Sequence, residues 1–383
     1  MTPQLDDLNR LIDGLISEGQ LVDAQYALAR GGEVVAAAAF GEATLESRFC
    51  IFSSTKPVFA SLVWQLLDEG CVRLDTRVAD LWPEFGQRGK DAITIEHLLV
   101  FTAGIPNAGI SRGDLATRER RRDVMEAWSL EWEPGTRYEY HPFSAGWVLS
   151  EVVARLTGTD HGTALRERVL DPLGIDRLDL GTAVDQRGDI RPVQLIRSAP
   201  FDPFDVLAGE SLEPRAERVA AGVPFDILGF ANDPVVIAAG APGAGAIADA
   251  ASVATFYQAL LHNPGGLWSE AILRDATTNI RNSFPDPLRL GAPANRTIGL
   301  IVATDDNRRI SRPDLGIDLV MHPFAPTVSP ATFGHGGGGG QIALADPTTG
   351  TSFCFLSNAI DLDTFGAFKN QHDIIATALA TVR

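Results

Sequence analysis

Regular secondary structure in this chain is written at its two ends and thins out between them, and that division limits the folds open to it. At the N-terminal end apolar residues recur at helical spacing (Leu5, Leu8, Leu11, Ile12, Leu15, Ile16), which predicts an amphipathic helix. Ala24 to Ala29 and Glu33 to Phe40 read as two strands around Gly31-Gly32, a hairpin signal. Ser54 to Leu67 reads as a second helix, apolar over much of its surface and closed by Asp68-Glu69-Gly70. Regularity returns with a helix at Ala251 to Leu261, strand-like stretches at Ile298–Ala303, Gln341–Ala345 and Ser352–Ser357, and a final helix at Phe368–Val382. This pattern predicts an α/β lobe assembled from both termini, residues 1–75 and 241–383. In the middle, short helical runs such as Glu96–Leu99 and Trp147–Leu156 alternate with Pro, Gly and Asp-rich loops. A mainly helical lobe over 76–240 is therefore expected to be inserted, with the active site between the two. Segment 185–240 has little periodicity and is expected to form long irregular connections.

Composition removes several classes of function. Of the 383 residues 45% are hydrophobic and 21% charged, which suits a globular protein and excludes an extended disordered one. The net charge of −17 repels phosphate backbones and anionic headgroups, so neither nucleic acid nor a membrane surface is expected as a partner. The N-terminus lacks the basic and continuously apolar regions of a secretory signal. Three scattered cysteines (Cys50, Cys71, Cys354) fit a reducing compartment better than a disulfide framework. A cytoplasmic location is expected, with Cys50 a small buried hydrophobe rather than a reactive thiol. The histidines form no metal-ligand spacing and no phosphate loop or dinucleotide fingerprint occurs, so no metal and no cofactor is expected.

Two serines compete as nucleophile. Gly109-Ile110-Ser111-Arg112-Gly113 fits a nucleophile-elbow pattern, but that elbow needs a strand before the serine and a helix after it. Ser111 follows a loop and precedes a charged run, so it is set aside. Ser53-Ser54-Thr55-Lys56 is the S-x-x-K pattern, in which residues three apart share a helix face and can meet. Ser53 falls at a helix start, where free N–H groups favour a developing oxyanion. Lys56 runs into Pro57-Val58-Phe59-Ala60, and desolvation there lowers a lysine's pKa and makes it a usable base. Only two other lysines exist, Lys90 and Lys369, so a lysine on an apolar helix is conspicuous. The plain alternative is an N-cap serine beside a snorkelling lysine.

Further motifs stand where partners are needed. Pro134-Gly135-Thr136-Arg137-Tyr138-Glu139-Tyr140-His141 precedes the helix from Trp147, and Phe333-Gly334-His335-Gly336-Gly337-Gly338-Gly339-Gly340-Gln341 precedes a strand. With Arg48 to Lys56, Asp75 to Phe85, Ile93 to Leu99 and Pro242-Gly243-Ala244-Gly245, they make the chain resemble the serine β-lactamase-like superfamily. That group includes class C β-lactamases, DD-peptidases and, most similar, family VIII carboxylesterases. The resemblance implies an α/β fold of the β-lactamase/transpeptidase type, an antiparallel sheet flanked by helices with an inserted, mainly helical lobe.

Carried over by position, Ser53 is the acylated nucleophile and Lys56 takes its proton. Tyr140 matches the tyrosine of a Y-x-N motif that relays the proton to the leaving group, with Tyr138 as its rival. His335-Gly336-Gly337 matches the K-T-G or H-x-G strand motif, which makes the amides of Gly338 and Ser53 the oxyanion hole; one such donor is typically worth about 3–4 kcal/mol. Four positions depart from the pattern. Pro142 stands where the motif has Asn, His335 where β-lactamases carry Lys, and Phe101 and Ala103 where relatives often have His and Ser. The missing lysine removes a fixed positive charge, and each change makes the cleft more apolar and less suited to anionic substrates, which points to small neutral esters as substrate. Acyl transfer or amide cleavage at the same site, a β-lactamase or DD-peptidase activity, and an idle binding protein of the same fold are the alternatives. His97 reads as structural, and His141 as either structural or functional.

Overall fold

Successive residues of one strand enter two different cores, and the architecture follows from that alternation. The chain opens with helix α1 (Pro3–Ser17) and the hairpin β1 (Ala24–Arg30) and β2 (Glu33–Phe40), then runs through helices α2 (Thr55–Asp68) and α3 (Ser144–Thr157). It closes with α4 (Ala250–His262), strands β3 (Ile301–Val302), β4 (Phe333–Gly334), β5 (Ile342–Asp346) and β6 (Thr351–Ser357), and helix α5 (Thr364–Ala380). The computed structural model describes residues 3–183, 187–196, 227–306, 308–315 and 317–381. Along β1, Tyr26 and Leu28 pack with Leu8, Ile12 and Leu15 of α1 and Ile374 and Ala378 of α5. Ala27 and Ala29 point the other way, into the core that holds Val253 and Phe256 of α4. β6 divides likewise, with Phe353 and Phe355 on one side and Cys354 and Leu356 on the other. The period of two thus gives a helix–sheet–helix sandwich.

The strand order is β2-β1-β6-β5-β4-β3, antiparallel at every pairing. Strands from the two ends of the chain meet at β1 and β6, where Ala24 pairs with Ser357 and Arg30 with Thr351. The strand expected over Ile298–Ala303 shrinks to Ile301–Val302, because Gly299 (φ +124°) bends the backbone just before it. The last helix begins at Thr364, ahead of Phe368, where the Asp363 carboxylate accepts the Gly366 N–H at 3.0 Å.

A small second sheet, not anticipated, joins Phe49–Cys50 and Leu178–Leu180 to the two sides of Ala246–Ala248. It delivers the chain to Ser53. Buried Arg48 pins it, donating to Asp179 at 2.6 Å and to Asp189 at 2.8 Å. α2 is buried from Thr55 through Leu66, as an apolar helix at the centre of a protein must be. Within 185–240, the described residues form a strand, Gln194–Ile196, and two short helices, Ile227–Asn232 and Pro234–Ala239; 197–226 lie outside the described residues. Among the described residues no helix is long and apolar enough to cross a membrane.

Candidate active site

Ser53 lies on a single 3₁₀ turn, Phe52–Ser54, that runs directly into α2. Phe52, just before it, holds a left-handed φ of +43°, a conformation an L side chain adopts only where its surroundings impose it. Those surroundings are the glycine-rich turn between β4 and β5. Ser54 Oγ donates to the His335 carbonyl at 3.1 Å. A Cβ at Gly337 would stand 2.6 Å from the Ile51 carbonyl oxygen, so only glycine lets the two segments touch. Gln341 locks the turn from beneath: its Nε2 donates to Ser357 O at 2.6 Å and its Oε1 accepts Ser357 N–H at 2.8 Å. The Gly338 N–H donates to no backbone carbonyl among the described residues, as an oxyanion donor requires.

Lys56, one turn into the helix, is buried with its Nζ 3.2 Å from Ser53 Oγ. Two backbone carbonyls complete its shell, Pro142 O at 2.9 Å and Gly243 O at 2.5 Å. These carbonyls come together because residue 243 is glycine; a Cβ there would meet Pro142 O at 2.2 Å. Burial first, and then the nearby Arg296 cation, drive the Lys56 pKa well below its ordinary value. A neutral amine has two N–H bonds and one lone pair. Two carbonyls and one hydroxyl are the partners that suit it, with the lone pair turned to the Ser53 proton.

Tyr140 presents its ring 4.7 Å from Lys56 Nζ. Its hydroxyl is buried and makes no hydrogen bond of regular geometry among the described residues, yet the Ser53 side chain is near enough to pull its pKa down. Burial outweighs this and the pull of Arg296, so that the phenol is pushed up to about 12 and keeps its proton. Tyr138 goes elsewhere. Its hydroxyl accepts from Arg296 Nε at 3.3 Å, and burial raises its pKa above the ordinary value. Tyr140, not its rival, stands with Ser53 and Lys56.

His335 is buried between Arg296 and its own chain. Arg296 Nη1 lies 2.8 Å from Nε2, and Nδ1 lies 2.6 Å from Gly336 O. A guanidinium only donates, so Nε2 accepts and Nδ1 carries the hydrogen. Burial, with Arg296 and Lys56 nearby, holds the imidazole neutral, well below its usual pKa. Arg296 is the residue that sequence reasoning missed. The positive charge expected to be lost with the strand lysine is present after all, on a different segment. It is 4% exposed, and no carboxylate forms an ion pair with it among the described residues. Three rings enclose it instead, those of Phe101, Tyr140 and Tyr138 at 5.0, 5.3 and 5.9 Å. A signal was available: Arg296 is the one charged residue between Arg289 and Asp305.

The remaining candidates fall outside this cluster. Ser111 is exposed and donates to Asp114 at 2.6 Å. His97 caps its own helix through Thr94. His141 accepts the Ile105 N–H at 3.1 Å and so fixes the loop ahead of α3. Cys50 is buried, its thiol pushed up to about 12 by burial. Among the described residues no group of side chains is placed to hold a metal ion.

Comparison with known proteins gives the chain's family and fold. The sequence profile of the beta-lactamase family matches residues 8–377. The chain belongs to the beta-lactamase family. Within that family its relatives include proteins named as esterases and as beta-lactamases. It is 27% identical over 329 residues to the esterase/beta-lactamase LipL of Mycobacterium tuberculosis, covering 81% of this chain and 69% of that one. It is 32% identical over 196 residues to the esterase EstB of Burkholderia gladioli, 44% of this chain and 49% of that one. Among solved structures, a penicillin-binding protein homolog from Caulobacter crescentus superposes with a TM-score of 0.77 at 24% identity, covering 99% of this chain and 98% of that one. A family VIII carboxylesterase gives 0.75 at 24% identity, covering 97% and 98%. These two share the beta-lactamase fold.

Proposed function

We propose that the protein is a serine carboxylesterase that cleaves small neutral esters through an acyl-enzyme on Ser53, in a cleft between the terminal α/β lobe and the helical insertion. The observation that carries this reading is the shell of Lys56, two carbonyls and the Ser53 hydroxyl, which suits an amine acting as base. As Ser53 Oγ attacks the ester carbonyl, its proton passes to Lys56 Nζ. The carbonyl oxygen gains charge facing the amides of Ser53 and Gly338. When the C–O bond breaks, the Tyr140 hydroxyl protonates the leaving alkoxide and takes a proton back from the Lys56 ammonium. Water then enters by the reverse path and releases the acid. The esterase names of LipL and EstB support the ester reading. Substrate neutrality is supported by Pro142, which has no N–H to offer a β-lactam or peptide amide, and by the burial of Arg296 behind His335.

The test is hydrolysis of p-nitrophenyl butyrate by wild type, Ser53→Ala and Ser111→Ala, with mass spectrometry of a p-nitrophenyl phosphonate adduct. Loss in Ser53→Ala alone, with the adduct on Ser53, is expected. An adduct on Ser111, or faster turnover of the chromogenic β-lactam nitrocefin than of the ester, would sink the proposal.

A further inference from the structure

A buried cation without a carboxylate is costly, and a protein keeps one where its field is used. Arg296 is such a cation, and among the described residues its side chain meets two groups of the candidate active site, His335 through Nη1 and the face of Tyr140, together with Tyr138 through Nε and the face of Phe101 behind them. We propose that Arg296 is a positioning residue of this site, fixing His335 in one neutral tautomer and laying a permanent positive charge against the ring of Tyr140. This deepens the esterase reading and rests on it.

The charge acts on two proton positions. It favours the partial negative charge that Tyr140 Oη acquires as its proton leaves. It also disfavours the ammonium form of Lys56, so a proton taken from Ser53 is driven onward. Arg296 lowers the pKa of both groups, which agrees with the geometry. The other charged or titratable groups facing this cluster are Asp286, which raises Tyr140 and Tyr138, Arg289, which Arg296 disfavours, and neutral His141. None of these gives Arg296 an ion pair among the described residues. The hydrogen bond to His335 has its own consequence. With Nε2 filled by a guanidinium proton, the imidazole cannot accept a second proton without breaking that bond.

The experiment measures the rate at which a p-nitrophenyl phosphonate labels Ser53, from pH 5 to 9, in wild type, Arg296→Gln and Arg296→Lys. Losing the charge returns basicity to Lys56, so the acid limb should move up by about one pH unit in Arg296→Gln. On that limb the rate at a given pH should fall by up to roughly ten-fold. Arg296→Lys, which keeps the charge but not the planar fork, should keep the wild-type limb. Superimposable profiles for wild type and Arg296→Gln would overturn the proposal. Should Arg296→Gln not fold, ¹⁵N NMR of the histidine-labelled wild type decides the matter. His335 is expected as the Nδ1–H tautomer throughout pH 5 to 8, and a titrating or Nε2–H imidazole would overturn the proposal. Failure of wild type to label at Ser53 would instead reject the esterase reading, and the tautomer would still be readable.

Discussion

Two of the three lysines are buried, and the protein solvates them in different ways. Lys90 is wholly buried with its Nζ donating to three carbonyls, Gln87 O at 3.0 Å, Glu126 O at 3.1 Å and Trp128 O, above the ring of Phe85. Three acceptors match three ammonium protons. Burial, and then Arg88, push its pKa down to about 8 against the pull of Glu126, so it remains charged at neutral pH. Lys56 has a ring beneath it too, that of Tyr140, but one of its three partners is a hydroxyl rather than a carbonyl. Its charged neighbour is Arg296, with no acidic group opposing it among the described residues. Burial alone does not make a lysine a base. What separates the two is whether the last hydrogen-bond partner has a proton of its own to give.

The widest separation should come from replacing each lysine. Lys56→Met is expected to lower kcat/KM on a p-nitrophenyl ester by roughly a thousand-fold or more, with the protein still folded. Lys90→Met should leave kcat/KM of the folded protein near wild type. It strands three carbonyls, at a cost of about 3 kcal/mol read from urea unfolding. If Lys90→Met lost activity as steeply as Lys56→Met, the distinction drawn from their shells would be wrong. A smaller effect separates the two tyrosines that share Arg296. Tyr140→Phe removes the group beside Ser53 and should cost about a hundred-fold in kcat. Tyr138→Phe removes only an acceptor for Arg296 Nε, and kcat should stay within an order of magnitude. Equal losses in the two variants would return Tyr138 to candidacy.

How much of this was legible in the sequence depended on the distance over which each feature is determined. Ser53 and Lys56 were readable because one helical turn sets their meeting and lysine is scarce in this chain. The sandwich was readable because period-two strands and amphipathic helices advertise which face they bury. The small sheet that carries Ser53 was not readable, since Phe49–Cys50 is two residues long and pairs with Ile247 and Ala248, nearly two hundred positions away. Lys90 gave no local hint either, because its acceptors at 126 and 128 come from another segment. Arg296 is the hardest case. Its ring partner Phe101 is nearly two hundred residues earlier, and among many arginines nothing but the neutral stretch around it marks it out. The charge balance of the cleft is a tertiary property, and this is why the missing strand lysine did not announce the cation that stands behind His335.

The same rule of matched partners extends to a histidine outside the cleft, where the expected effect is smallest. His161 is buried, its Nε2 donating to Gly240 O at 2.8 Å, with the rings of Phe59 and Trp147 edge-on at 6.1 and 5.9 Å. One carbonyl suits one N–H of a neutral imidazole. Burial pushes its pKa down to about 4, although the Gly240 carbonyl pulls upward. A base whose folded pKa lies below its unfolded value binds its proton more readily when unfolded. Its neutral form therefore contributes fully above about pH 6.5, and the contribution is lost as pH falls toward 4. At pH 5 the loss from His161 alone comes to about 2 kcal/mol. In His161→Gln the side-chain amide still donates to Gly240 O but does not titrate. Urea midpoints measured at pH 7 and pH 5 should therefore draw closer together in the variant than in wild type. An unchanged gap would mean that His161 is protonated in the folded protein, and that a single carbonyl partner does not hold a buried base neutral here.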